Sequence, residues 1–106
     1  MPTNAEIDQA AEAIVNQWLF EKGYRTSVTM QLYGPTNIEA RGTAKYLLIQ
    51  VKSAIYPSEP GPLSSDETKN LKSLAEKIGY EPREAMVQLD EQLQLVGKIK
   101  WRPLME

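Results

Sequence analysis

Apolar positions along the chain change period three times, and each change marks an element. Ile7, Ala11, Ile14 and Trp18 recur at helical spacing, with Val15 and Leu19 widening the stripe, so residues 3–22 are expected to form an amphipathic helix. Thr3-x-x-Glu6 has capping-box spacing at its start, and Gly23 offers a stop at its end. The period then drops to two. Val28, Met30 and Leu32 alternate with Thr29 and Gln31 over 25–32, and Tyr33-Gly34-Pro35-Thr36 is turn chemistry. A short strand over 37–41 carries Ile38 and Ala40 on one face. Gly42-Thr43 turns the chain into 46–53, where Leu47, Ile49 and Val51 oppose Leu48, Gln50 and Lys52.

Three prolines, Pro57, Pro60 and Pro62, stiffen the segment 54–63. The helical period returns after Ser64-x-x-Glu67, a second capping box, with Leu71, Leu74, Ala75 and Ile78 as the stripe and Gly79 as the stop. Residues 84–89 and 94–101 read as two final strands. The predicted order is helix, three strands, helix, strand, strand. Tight turns make the first three strands an antiparallel meander. The second helix acts as a crossover to a fourth strand parallel to the third, covering one sheet face. The expected fold is an α/β sandwich with a mixed sheet, extended by the last strand.

Length limits this to one domain over 1–106, because two cores of half that size would each be marginal. Cysteine and histidine are both absent. That excludes disulfides, thiolate nucleophiles, Ser-His-Asp chemistry and histidine zinc sites. A metal would need oxygen ligands, which points to magnesium, manganese or calcium. Twelve basic residues against fourteen acidic ones give a net charge of −2, so any basic surface must be local. No apolar run is long enough to span a membrane, and MPTNAEIDQA lacks the pattern of a secretory signal, so a cytoplasmic protein is expected.

The chemistry concentrates in 34–53, GPTNIEARGTAKYLLIQVKS. Strand alternation puts Asn37 and Glu39 on one face of the second strand, and Gln50 and Lys52 on one face of the third. The strands are antiparallel neighbours, so these four polar groups converge while Ile38, Ala40, Leu47, Ile49 and Val51 face the core. A plainer account is also available: Asn37 as a turn residue, Gln50 and Lys52 on a solvated face, and a Glu39–Lys52 cross-strand ion pair.

In this segment and in its element order the chain resembles the PD-(D/E)xK nuclease superfamily, and within it the small Holliday-junction-resolvase and restriction-endonuclease-like domains. Gly34-Pro35-Thr36-Asn37-Ile38 stands where that family places its PD element. Gln50-Val51-Lys52 stands where it places (D/E)xK, and Ser53 after the lysine also suits resolvase-like members. The resemblance implies an α-β-β-β-α-β restriction-endonuclease-like core, a site built from Asn37, Gln50 and Lys52, magnesium or manganese as cofactor, DNA as partner, and a homodimer. Both family acids are amides here. Some relatives have a QxK form, whereas loss of the first acid is less usual.

The physical consequence is one of charge. A divalent ion in this chemistry activates water and neutralises charge on the scissile phosphate. Magnesium is held by one or two carboxylates with waters and phosphate oxygens. Two amides beside a lysine supply no negative charge. Glu39, two residues from Asn37, is a candidate displaced ligand. The first helix supplies an acid in many relatives, and Glu12 is the candidate here, with Glu6 second. Two functions follow: a metal-dependent DNA endonuclease, or a nuclease-fold domain that has lost catalysis and binds DNA, a protein partner or a second copy of itself. Two basic groups add to the DNA reading. They are Lys69, Lys72 and Lys77 on the second helix, and Lys98, Lys100 and Arg102 at alternate positions near the end. Either group also suits an ordinary solvated face, and the second also suits a protected sheet edge.

Overall fold

A computed structural model describes residues 2–29 and 37–104. Helix α1 spans Asn4–Glu21 and helix α2 spans Ser65–Ile78. The strands are β1 (Arg25–Thr29), β2 (Asn37–Arg41), β3 (Tyr46–Ile55), β4 (Glu81–Leu89) and β5 (Lys100–Pro103). They form one sheet in the order β1-β2-β3-β4-β5. Only the β3–β4 pair is parallel, and α2 is the crossover between them. This is the predicted α-β-β-β-α-β core with its extra C-terminal strand. The predicted positions Met30 to Leu32 and the turn 33–36 lie outside the described residues.

Both helices start where their capping boxes place them. The Glu6 amide donates to Thr3 Oγ1 at 3.1 Å, and the Thr3 amide donates to Glu6 Oε1 at 3.0 Å. Ser64 and Glu67 make the same reciprocal pair at 3.1 and 3.0 Å. Each box satisfies two amides that a helix start leaves without partners. The fully buried line of α1 is Ala11, Val15 and Leu19, with Ile7, Ile14 and Trp18 flanking it. The helix is thus rolled slightly from the predicted stripe, towards its narrower residues.

Alternation along β3 separates two cores. Leu47 and Ile49 join Ile38, Ala40, Ala85, Val87 and Leu89 beneath α1. Leu48 faces the other way and packs with Leu63, Leu71, Ala75 and Leu104 beneath α2. Fully burying a side chain such as Ile49 or Leu19 stabilises the fold by roughly 1.5–3 kcal/mol. The two helices therefore cover opposite faces of one sheet. Trp18 and Trp101 meet on the α1 face with ring centroids 5.0 Å apart, so both act in packing.

Three strands differ from their predicted bounds, and the first of them, β3, runs on to Ile55 instead of ending at 53. Strand β4 begins at Glu81 and includes Pro82, which sits beyond the last β4–β5 pair, Arg83 with Pro103. A proline is tolerated there because no ladder bond is lost to β5. The last strand starts at Lys100 instead of Gln94. Leu95 makes only an isolated bridge to Leu89. The Asp90 carboxylate collects the amides of Gln92 and Gln94, both at 2.9 Å, and Gly97 takes φ 75°. These local bonds hold 90–97 as a loop, in competition with a ladder. Lys98 consequently lies before the strand, and only Lys100 and Arg102 alternate along it.

Candidate functional site

The sheet register assembles one polar row across the α2 face. Asn37 is the Cα partner of Gln50, Gln50 of Glu84, and Glu84 of Arg102. Three of the four are buried: Asn37 is 4% exposed, Gln50 3% and Glu84 0%. Directly opposed residues in a sheet share a face, so this row lies on the side of Leu48 and α2. Lys52 follows one step along that face, opposite Met86, whose own partner on β5 is Lys100.

Lys52 is held by a carboxylate from α2. Its Nζ lies 2.9 Å from Glu67 Oε2 and 3.1 Å from Oε1. Gln50 Nε2 reaches the same Oε2 at 3.5 Å, a long contact. Glu67 Oε1 also accepts the Ser64 amide. One carboxylate thus caps α2 and neutralises the site lysine. Its pKa is lowered, first by the Ser64 backbone bond and then by Lys52, against a smaller desolvation effect.

The row also contains a buried acid. Glu84 Oε2 accepts the Leu63 amide at 2.6 Å, tying the proline-rich loop to β4. Arg102 Nε approaches Oε1 at 2.7 Å as an ion pair, out of line for a hydrogen bond. Asn37 Oδ1 is buried with no hydrogen-bond partner among the described residues.

The sequence-derived candidates separate into two groups. Asn37, Gln50 and Lys52 come together as strand alternation requires. Glu39 shares their face but pairs with Leu48, on the far side of the Asn37–Gln50 row from Lys52. Leu48 and Lys52 are four residues apart on β3, roughly 13 Å. An Arg41 nitrogen lies 3.5 Å from Glu39, so the expected Glu39–Lys52 pair is replaced by Glu39–Arg41 and Lys52–Glu67. Glu12 belongs to α1, which covers the opposite face. Asp8, also on α1, accepts from Ser53 Oγ of β3 at 3.0 Å.

Glu67 and Glu84 were not among the candidates. Glu67 is visible in the sequence as a capping residue, and nothing local shows what lies beneath its helix. Glu84 starts the predicted strand 84–89, where an acid reads as a solvated end.

Among the described residues no three carboxylate, histidine or cysteine side chains gather as a cation site. Two amides, an ammonium and a carboxylate already bonded to that ammonium are a poor donor set for a divalent ion. Magnesium prefers free carboxylates and near-octahedral oxygen geometry. The residues present do not fit the metal that this fold implies.

The five-stranded mixed sheet with one parallel pair, flanked by α1 and α2, has the restriction-endonuclease-like fold. A particular solved structure with this fold is the 1.6 Å structure of Hjc, a Holliday junction resolvase from the archaeal hyperthermophile Archaeoglobus fulgidus. The two match with a TM-score of 0.68 and 22% identity, over 92% of this chain and 72% of that one. No family model and no curated protein matches the sequence.

Proposed function

We propose that the chain is a DNA-binding domain on a nuclease fold whose cutting centre is closed. The observation that carries this reading is the Lys52–Glu67 ion pair beside two amides. In a cutting centre of this type, acids at the Asn37 and Gln50 positions hold the cation and the lysine faces the attacking water or the phosphate. Here the lysine is engaged by a helix cap, and neither amide brings charge. Likeness to a resolvase supports DNA as the partner; loss of the two acids supports binding without cutting.

The test is manganese titration calorimetry on the wild type and on the double variant Asn37→Asp, Gln50→Glu. The wild type should take up no manganese at the site, and the double variant should bind it. Equal binding by both would remove the argument from the amides. Manganese-dependent cleavage of branched or duplex DNA by the wild type, abolished by Lys52→Ala, would establish an active nuclease instead.

A further inference from the structure

Members of two basic groups that are far apart in sequence, Lys69 and Lys72 of one and Arg102 of the other, face one cleft. It lies between α2 and β5, has a volume of about 590 Å³, and is lined by Ser65, Thr68, Lys69, Lys72 and Arg102 together with apolar residues. Lys69 and Lys72 are three apart on α2 and share a helix face. Among the described residues the lining contains three cations, two hydroxyls and no acid, in a chain of net charge −2. The first-turn acids Asp66 and Glu67 do not line it, and Glu67 is turned to Lys52.

Arg102 is the fixed member. Its Nε edge rests on the fully buried Glu84 carboxylate at 2.7 Å, while its side chain keeps 44% of its surface exposed. A guanidinium anchored on one edge and open on the rest is pre-organised for phosphate oxygens. Buried Glu84 offsets the charge of Arg102, which leaves the two lysines as the uncompensated cations of the lining. The cleft opens on the same sheet face as Gln50 and Lys52. Arg102 and Gln50 share a row two strands apart, about 10 Å at ordinary strand spacing.

We propose that this α2–β5 cleft is a docking site for the phosphodiester backbone of DNA, with Lys69, Lys72 and Arg102 as phosphate contacts and Ser65 and Thr68 as neutral donors. The proposal rests on the DNA-binding reading above and assigns the binding to a surface separate from the closed centre. Contacts of this kind position a duplex without reading its sequence, and each one releases condensed counterions.

The experiment measures anisotropy of a labelled four-way junction and of a matched duplex across a salt series. The wild type is compared with Lys69→Ala/Lys72→Ala, Lys69→Arg/Lys72→Arg and Lys52→Ala, with circular dichroism melting as the check on folding. The double alanine variant should bind at least about tenfold more weakly at low salt, with the log–log salt slope reduced by roughly 2, while the double arginine variant retains both. Wild-type binding that Lys52→Ala weakens and the double alanine variant leaves unchanged would overturn the cleft and leave the DNA reading standing. A loss with an unchanged salt slope would also overturn it. Absence of wild-type binding to either DNA at low salt would overturn cleft and reading together.

Discussion

Glu67 and Lys52 join the start of α2 to the centre of the sheet, with both carboxylate oxygens within 3.1 Å of the lysine nitrogen. The same carboxylate closes the helix's capping box through the Ser64 amide. Helix initiation and site electrostatics therefore depend on a single side chain. An acid at this third helical position is favoured by the capping geometry alone. The fold then delivers it to a lysine fifteen residues earlier in the chain.

Glu67→Gln separates the two roles, since an amide oxygen can still accept from Ser64 but carries no charge towards Lys52. The expected loss is about 0.2–1 kcal/mol, because both side chains are partly exposed, 29% for Lys52 and 30% for Glu67. The pH dependence gives a sharper readout. The Glu67 carboxyl is held below its ordinary value of 4.5, chiefly by the Ser64 backbone bond and then by Lys52. A depressed carboxyl contributes stability that is complete above the unfolded-state value and is lost as pH falls through the folded-state value. In urea unfolding, the gap between wild type and Glu67→Gln should be widest near neutrality and should close on acidification below 4.5. A gap that stays constant through the acid range would show that charge is not what the carboxylate contributes.

Gly42 is the tightest point of the β2–β3 turn that sets the site register. Its amide donates to the Lys45 carbonyl at 2.9 Å. A Cβ at this position would stand 3.0 Å from that same carbonyl and 2.8 Å from Tyr24 Cε1. Gly42→Ala should cost about 1–3 kcal/mol, as expected for forced overpacking. Adding Tyr24→Leu should recover part of the loss by relieving the ring contact. A neutral Gly42→Ala in chemical denaturation would mean that the turn opens freely.

The sequence makes some of these relationships readable and conceals others. Capping boxes and stop glycines lie within four residues of what they control, and both helices begin where Thr3 and Ser64 indicate. Alternation over 46–53 places Gln50 and Lys52 on one face without any tertiary knowledge, and the short turn brings Asn37 opposite. Glu84 is different. Its burial depends on Leu63 and Arg102, respectively twenty-one residues before it and on the next strand. The available signal was complementarity, with an acid among Ala85 and Val87 and a basic residue alternating on the strand that follows. The start of the last strand is misleading in sequence because Leu95 alternates against Gln94, while the Asp90 carboxylate and Gly97 hold this segment as a loop.

Asn37 occupies a position where its amide oxygen is buried and has no partner among the described residues. Leaving such an acceptor unmet costs roughly 1–3 kcal/mol, whereas an apolar group of similar shape carries no such penalty. Asn37→Leu should therefore be as stable as the wild type or gain up to about 2 kcal/mol, read from the urea midpoint at constant slope. A clear loss would instead show that the oxygen is satisfied by water within the fold.

Glu84 and Arg102 allow a stricter test of how the row is held together. Glu84→Ala removes the acceptor of the Leu63 amide and leaves the Arg102 guanidinium without its anchor. It also empties a fully buried position. The expected cost is about 1–3 kcal/mol, that of the unmet Leu63 amide, because the partly exposed guanidinium left behind is hydrated. Arg102→Ala leaves the carboxylate enclosed with only the Leu63 amide. It should cost more, about 3–5 kcal/mol, because the charge left behind is fully buried. Once either partner is absent, removing the other forfeits no further attraction, so the double variant should cost less than the sum of the single losses. A double-mutant cycle in urea measures that difference. Losses that add to within about 0.5 kcal/mol would mean that the two residues are uncoupled despite their contact, and that β5 is held at this row by packing alone.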